Sequence, residues 1–209
     1  MDEQPQTATT DEQLAARAQA GCESSFAFLV RRYQSRLLLF LRQRAATQEN
    51  AEDAVQESFL TAYRALHRYD RRWRFSTWMF TIAKRIAHRT SVRERRNEPT
   101  VEQLETLHHA GDDGVPKADE WLLREETRQL FWQAVRSWTT ADEFTATWLY
   151  YVEEMSIREI ATVLERTNAG TKMLLCRTRK KLKRRLSSES SRRDNLLDEF
   201  LAAWGRKAG

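Results

Sequence analysis

Apolar residues recur along this chain at the spacing of a helix face. Phe26, Leu29, Val30, Tyr33, Leu37 and Leu41 define one such face on a helix expected to run to about residue 46. Ahead of it, Thr10 and Gln13 make a capping-box pattern, and Gly21 can take the left-handed conformation that ends a short first helix. The next helix, from about 50 to 67, carries two stripes. Val55, Phe59, Ala62 and Leu66 form the inward one; Asp53, Glu57, Leu60 and Arg64 lie roughly opposite, flanked by Gln56. From near residue 76, Trp78, Met79, Ile82, Ala83 and Ile86 form another buried face, and helical arithmetic puts Arg89, Thr90 and Arg93 next on it. A helix that loses its apolar stripe at Ile86 and stays basic either frays into solvent or lies along another charged molecule.

The pattern dissolves in NEPTVEQLETLHHAGDDGVPK, residues 97–117, which holds two of the three Pro and two of the six Gly. Such a stretch marks a domain boundary. Helical spacing resumes with Trp121, Leu122, Leu130, Phe131, Ala134, Val135 and Trp138. Two more capping boxes, Thr140 with Glu143 and Ser156 with Glu159, open TADEFTATWLYYVEE and SIREIATVLER. A short break at Arg166 and Thr167 then leads into a long basic helix, which is the sequence form of a helix-turn-helix. On that last helix Leu175, Leu182 and Leu186 are expected inward. Lys172, Cys176, Arg179 and Lys183 share one outward stripe, and Met173, Arg177, Lys180 and Arg184 its neighbour. Finally, Leu196, Leu197, Phe200, Leu201 and Trp204 predict an amphipathic helix of about three turns. It either packs on the second domain or binds a partner.

Composition narrows the fold. The 209 residues are 41% hydrophobic, with seven Trp and nine Phe, enough for two small cores. So few Pro and Gly argue against a turn-rich sheet protein, and the expected class is all-α: two small helical domains joined by a flexible acidic linker. The domains are set at 1–96 and 119–186, with 97–118 as the linker and 187–209 as a C-terminal extension.

Charge adds a function class. The net charge is only +5, but residues 84–96 hold six bases against one acid and 172–185 hold eight against none. Between them, 98–126 carry nine acids against two bases. Two basic islands around an acidic stretch predict two contacts with a polyanion, and nucleic acid is the leading candidate.

Other chemistry is not indicated. Cys22 and Cys176 lack metal-ligand spacing, and His67, His88, His108 and His109 form no ligand or triad pattern. With no Gly-rich phosphate loop and no zinc-helix motif, neither a cofactor nor an enzyme is expected. The start of the chain is acidic and polar, and no window reaches the roughly 18 apolar residues of a membrane span, so the expectation is a cytoplasmic protein without direct membrane insertion.

The blocks AEDAVQESFLTAYRALHRYD, FSTWMFTIAKRIAHRTSVRERR and, after the linker, YVEEMSIREIATVLERTNAGTKMLLCRTRKKLKRRL carry a family likeness. In that order the chain resembles the extracytoplasmic-function (ECF) group of bacterial sigma factors over roughly residues 21–186. The first two blocks look like sigma region 2, a helical bundle, and the last like the helix-turn-helix of sigma region 4. The resemblance implies a promoter-specificity subunit whose partners are core RNA polymerase, promoter DNA and an anti-sigma factor. Position by position it places Asp53, Gln56, Glu57 and Leu60 on the surface that docks on the clamp coiled coil of the largest polymerase subunit. It places Trp73, Arg74, Phe75, Lys84, Arg85, His88, Arg89 and Arg93 on the segment that reads and melts the minus-10 element. Thr167, Asn168, Thr171, Lys172, Met173, Cys176, Arg177, Arg179 and Lys180 fall on the helix that reads the minus-35 element.

Physical chemistry agrees with that division. Unstacked bases can lie on aromatic rings, for which Trp73 and Phe75, ahead of their helix, are the candidates. Closed duplex suits a helix in the major groove. The chain departs from the family where Arg85 and Arg89 replace a common Asn and Asp. It departs again where Ala169 stands for a turn Gly, Met173 for a small polar residue and Leu174 for an arginine. A two-domain helix-turn-helix regulator of duplex operators is the rival reading; it has no need of the acidic face or the aromatic-basic segment.

Overall fold

Every element in the described residues, 9–97 and 131–189 of a computed structural model, is helical. They belong to two compact units, one within Met1–His108 and one within His109–Gly209. The linker, the early apolar residues Trp121, Leu122 and Leu130, and the amphipathic stretch from Leu196 to Trp204 lie outside the described residues.

In the first unit, α1 (Asp11–Gln19) starts at the expected capping box: Thr10 Oγ1 accepts from the Gln13 N–H at 3.2 Å, and Gln13 Oε1 accepts from the Thr10 N–H at 3.1 Å. It stops at Gly21, whose φ of +94° only glycine adopts without strain. Helix α2 (Glu23–Arg42) buries Phe26, Leu29, Tyr33, Leu37, Phe40 and Leu41, and ends about a turn before the expected residue 46. Helix α3 (Gln48–Ala65), capped by Thr47, buries Val55, Phe59 and Ala62 as the stripe predicts. A 3-10 turn (Leu66–Arg68) and a short loop then lead to α4 (Phe75–Asn97).

The rings of α4 explain its place. Phe75 meets Tyr33 edge-on with centroids 5.3 Å apart, and Phe80 meets Phe40 at 5.5 Å. Tyr33 and Phe40 are seven residues apart on α2, two turns on one face, so the two ring pairs fix α4 against α2 at two levels. Phe75, Met79 and Phe80 are fully buried, as is Ala83. Phe40 and Phe80 lie outside the stripes read from the sequence, because a helix packed on several neighbours buries more than one stripe. Trp78, expected inward, is only half-buried, against Tyr69 at 5.2 Å.

In the second unit, α5 is described over 131–138. It is followed by α6 (Ala141–Tyr151), α7 (Ile157–Leu164) and α8 (Asn168–Glu189). Both expected capping boxes are present. Trp132, which the spacing did not select, is buried and centres an aromatic cluster with Trp148 at 4.7 Å and Phe144 at 5.9 Å. Helices α6, α7 and α8 all pack on one another, and α7 and α8 form the helix-turn-helix. No described helix is long and apolar enough to cross a membrane, and no cluster of potential metal ligands occurs among the described residues.

Candidate nucleic-acid and polymerase interface

Helix α3 keeps its two faces apart. While Ala51, Ala54, Val55, Ser58, Phe59 and Ala62 are buried, Asp53, Gln56, Glu57 and Leu60 are all exposed, Leu60 by 55%. Tyr63, 49% exposed, continues that stripe and rests edge-on against Phe26 at 5.0 Å. The result is an acidic surface with a large apolar side chain at its end, suited to a partner helix that carries cations and an apolar contact.

Between the 3-10 turn and α4, the chain is held by side chains distant in sequence. Gln19 Nε2 donates to the carbonyls of Leu66 and Tyr69, both at 2.9 Å, and Gln19 Oε1 accepts from Arg71 Nε at 3.0 Å. The Tyr69 hydroxyl donates to the Trp73 carbonyl at 2.7 Å. Burial, helped by the Glu12 and Asp11 carboxylates, pushes the Tyr69 phenol above its ordinary value. Glu12 Oε1 accepts the Phe75 N–H at 3.1 Å and satisfies one of the free donors at the start of α4.

This clamp sorts the two candidate rings. Trp73 is half-exposed and Arg74 exposed, but Phe75 is 0% exposed, wedged among Tyr33, Tyr69 and Trp78. Phe75 is therefore a core ring and not a base-stacking one. It is the first residue of α4, and the rotation that buries Met79 carries it inward too.

Further along α4, Arg85, His88 and Arg89 are exposed and Lys84 is half-buried. The side chain of Arg93 lies outside the described residues. Arg89 pairs with Glu57 of α3, so a residue expected at DNA and one expected at polymerase hold one another. They are 32 positions apart, and no local pattern announces the contact.

The turn before α8 is built without glycine. Glu165 takes the left-handed conformation, φ +57°, and the Arg166 N–H closes the end of α7 on the Ala161 carbonyl at 2.9 Å. Thr167 caps α8: its Oγ1 accepts the Gly170 N–H at 3.0 Å. A Cβ at Gly170 would stand 3.0 Å from that hydroxyl, so the glycine makes room for the cap. Thr167 is exposed, yet its hydroxyl has this structural task.

Thr171 departs from expectation altogether. It is 0% exposed, one step of a buried line with Thr178, Leu182 and Leu186, and its hydroxyl has no hydrogen-bond partner among the described residues. It cannot reach DNA from there. Leu175, expected inward, is half-buried, and so is Arg179, beside Tyr151. Asn168, Lys172, Met173, Cys176, Arg177 and Lys180 are exposed as expected. Two ion pairs tie this region to the first turn of α6: Arg166 to Asp142 at 2.7 Å and Lys181 to Glu143 at 2.9 Å. Burial alone would raise the Glu143 carboxyl, but the Thr140 N–H and the Lys181 ammonium outweigh it and hold that carboxyl below its ordinary range.

The class this defines is a DNA-directed helical protein: one unit with an exposed acidic stripe and a clamped aromatic loop, the other with a helix-turn-helix. Residues 29–97 match the family described as Sigma-70 region 2. The chain is 32% identical to the RNA polymerase sigma-H factor of Pseudomonas aeruginosa, over 76% of this chain and 84% of that protein. It is 30% identical to the ECF RNA polymerase sigma-E factor of Salmonella typhimurium, over 75% of this chain and 83% of that one. The solved structure of CnrH, in complex with the cytosolic domain of CnrY, shares the fold with a TM-score of 0.64 at 22% identity, covering 86% of this chain and 99% of that one. This chain belongs to the ECF RNA polymerase sigma factors. It binds core RNA polymerase and promoter DNA and directs transcription initiation.

Proposed function

We propose that this sigma factor divides its work among three surfaces. Asp53, Gln56, Glu57 and Leu60 of α3 dock on the clamp coiled coil of core polymerase. Trp73 and Arg74, with Lys84, Arg85, His88, Arg89 and Arg93 of α4, engage and open the minus-10 element. Asn168, Lys172, Met173, Cys176, Arg177 and Lys180 of α8 read the minus-35 element as duplex. Residues 1–96 form the docking and melting domain, 97–118 the linker, 119–186 the upstream-reading domain and 187–209 an extension.

The observation that carries this reading is the half-exposed Trp73 on a clamped loop. A ring held at the surface with its backbone tied down offers a stacking face at little entropic cost, which strand opening needs and duplex binding does not. In a defined transcription assay with core polymerase, Trp73→Ala should lower thymine reactivity in the opened strand far more than closed-complex binding. Equal loss of both would make Trp73 a structural ring.

The protein acts in the cytoplasm, without catalytic chemistry of its own, and is restrained by an anti-sigma factor. The CnrH complex with CnrY supports that last assignment.

A further inference from the structure

Four large apolar side chains among the described residues are exposed: Leu60, Tyr63, Val92 and Met173. Met173 alone of these is on α8, and 52% of it is open to solvent. It stands two residues beyond buried Thr171, about 200° around the helix, and so near the middle of the outward face. Its companions there divide by position. Ala169, about one turn before it, and Cys176, about one turn after it, are exposed beside it on one side; Lys172 is exposed at the edge of the face, and Arg177, Lys180 and Arg184 carry it onward. The immediate surroundings of Met173 are thus small or apolar on the Ala169–Cys176 side, and the face is cationic from Arg177 on.

In a major groove that order has a meaning. The N-terminal residues of a recognition helix meet base edges, while cations farther along meet phosphates. Base edges in the major groove present donors, acceptors and one apolar group, the C5-methyl of thymine. A thioether has no donor and is a weak acceptor, so it does not discriminate among the polar patterns. An unbranched, flexible, apolar side chain at the centre of the reading face matches the methyl and nothing else in that groove.

We infer that Met173 selects a thymine in the upstream promoter element through apolar contact with its C5-methyl, with Ala169 and Cys176 closing one side of the contact. This rests on the proposed reading of α8 as the minus-35 helix and gives it a base preference. Arg177 and Lys180 supply charge to the backbone, whereas Met173 supplies the choice of base.

The test uses the holoenzyme of full-length chain and core polymerase, on a promoter selected by that holoenzyme from a randomised pool. Each thymine of the upstream element is replaced in turn by deoxyuridine, which differs only by the methyl. At one or two positions the wild-type holoenzyme should bind about fourfold more weakly, the scale of one buried methyl-sized group. Met173→Gln, similar in length and exposed on a helix that tolerates glutamine, should bind the thymine and deoxyuridine promoters equally. Met173→Leu should keep the preference. If no position responds to deoxyuridine, or if Met173→Gln responds as wild type does, the inference fails. Arg177→Ala and Lys180→Ala separate the two levels. Weakened binding by both with no deoxyuridine effect removes the methyl contact alone; normal binding by both removes the reading of α8 and the inference with it.

Discussion

Helices α4 and α8 are both long and both basic, yet they divide core from surface along different axes. On α4 the division runs end to end: from Phe75 to Lys84 no side chain is exposed, and exposed ones begin at Arg85. On α8 it runs around the circumference: Thr171, Thr178, Leu182 and Leu186 are buried along one line, while exposed residues accompany them from Asn168 to Arg185. A helix closed all round for its first turns and then open on one side, with Ile86 and Ala87 still buried, presents a tip and a loop, which suits DNA that is being separated. A helix open along one whole side presents a ridge, which suits a groove. The anchoring differs in kind as well. Large rings hold α4; small threonines, leucines and one ion pair, Lys181 to Glu143, hold α8, with a second, Arg166 to Asp142, just ahead of it.

The largest effect should come from removing a ring that anchors α4. Phe75→Ala should destabilise the first unit by about 3–5 kcal/mol, measured by urea unfolding, as expected for a buried Phe. Trp73→Ala, at a half-buried ring, should shift that midpoint clearly less. If the two variants unfolded alike, the division of α4 would be lost.

Thr171→Val probes the buried line of α8. Exchanging an unsatisfied buried hydroxyl for a methyl should raise stability by about 1 kcal/mol and leave promoter affinity as it was. Reduced affinity with unchanged stability would put Thr171 on the DNA side after all. On the opposite side, Arg177→Ala and Lys180→Ala should each reduce the log–log salt slope of promoter binding by about 0.9, one phosphate contact apiece. Met173→Gln should leave the slope alone.

The smallest effects concern the surface pairs. The Glu143 carboxyl is depressed in the folded state, so its contribution to stability is present above its unfolded pKa and fades as pH falls through the lower folded value. Wild type should therefore lose its advantage over Glu143→Gln in acid, by under about 1 kcal/mol for such a solvent-screened group, read by thermal melts across that range. Glu57→Gln should free Arg89 and tighten DNA binding by α4 slightly, with a larger loss of core affinity seen in the same titration.

Much of this was legible in the sequence where the signal is local. The three capping boxes, the stop at Gly21, the two stripes of α3 and the helix-turn-helix each depend on residues within a turn or two of one another. What escaped was set from afar. Phe75 sits in an arginine-rich run, and its burial is sealed by Tyr33, 42 positions earlier, although Met79 one turn on already marks its face as inward. Thr171 looks like a polar reader of bases until the line back from Leu182 through Thr178 is drawn, because the turn at Glu165 sets the rotation of α8. The Glu57–Arg89 pair joins two helices whose own patterns say nothing of each other.

Helix α1 gives the clamp a last consequence. It lies ahead of residues 29–97, the stretch that matches the family, and none of its residues is assigned to polymerase or DNA. Even so, Glu12 and Gln19 are the residues that aim the loop bearing Trp73. If Trp73 acts at the opened strand as proposed, drift in α1 retunes how readily a promoter opens while every residue that touches it stays the same, and transplanting the matched segment into another sigma factor would carry over its letters without its aim.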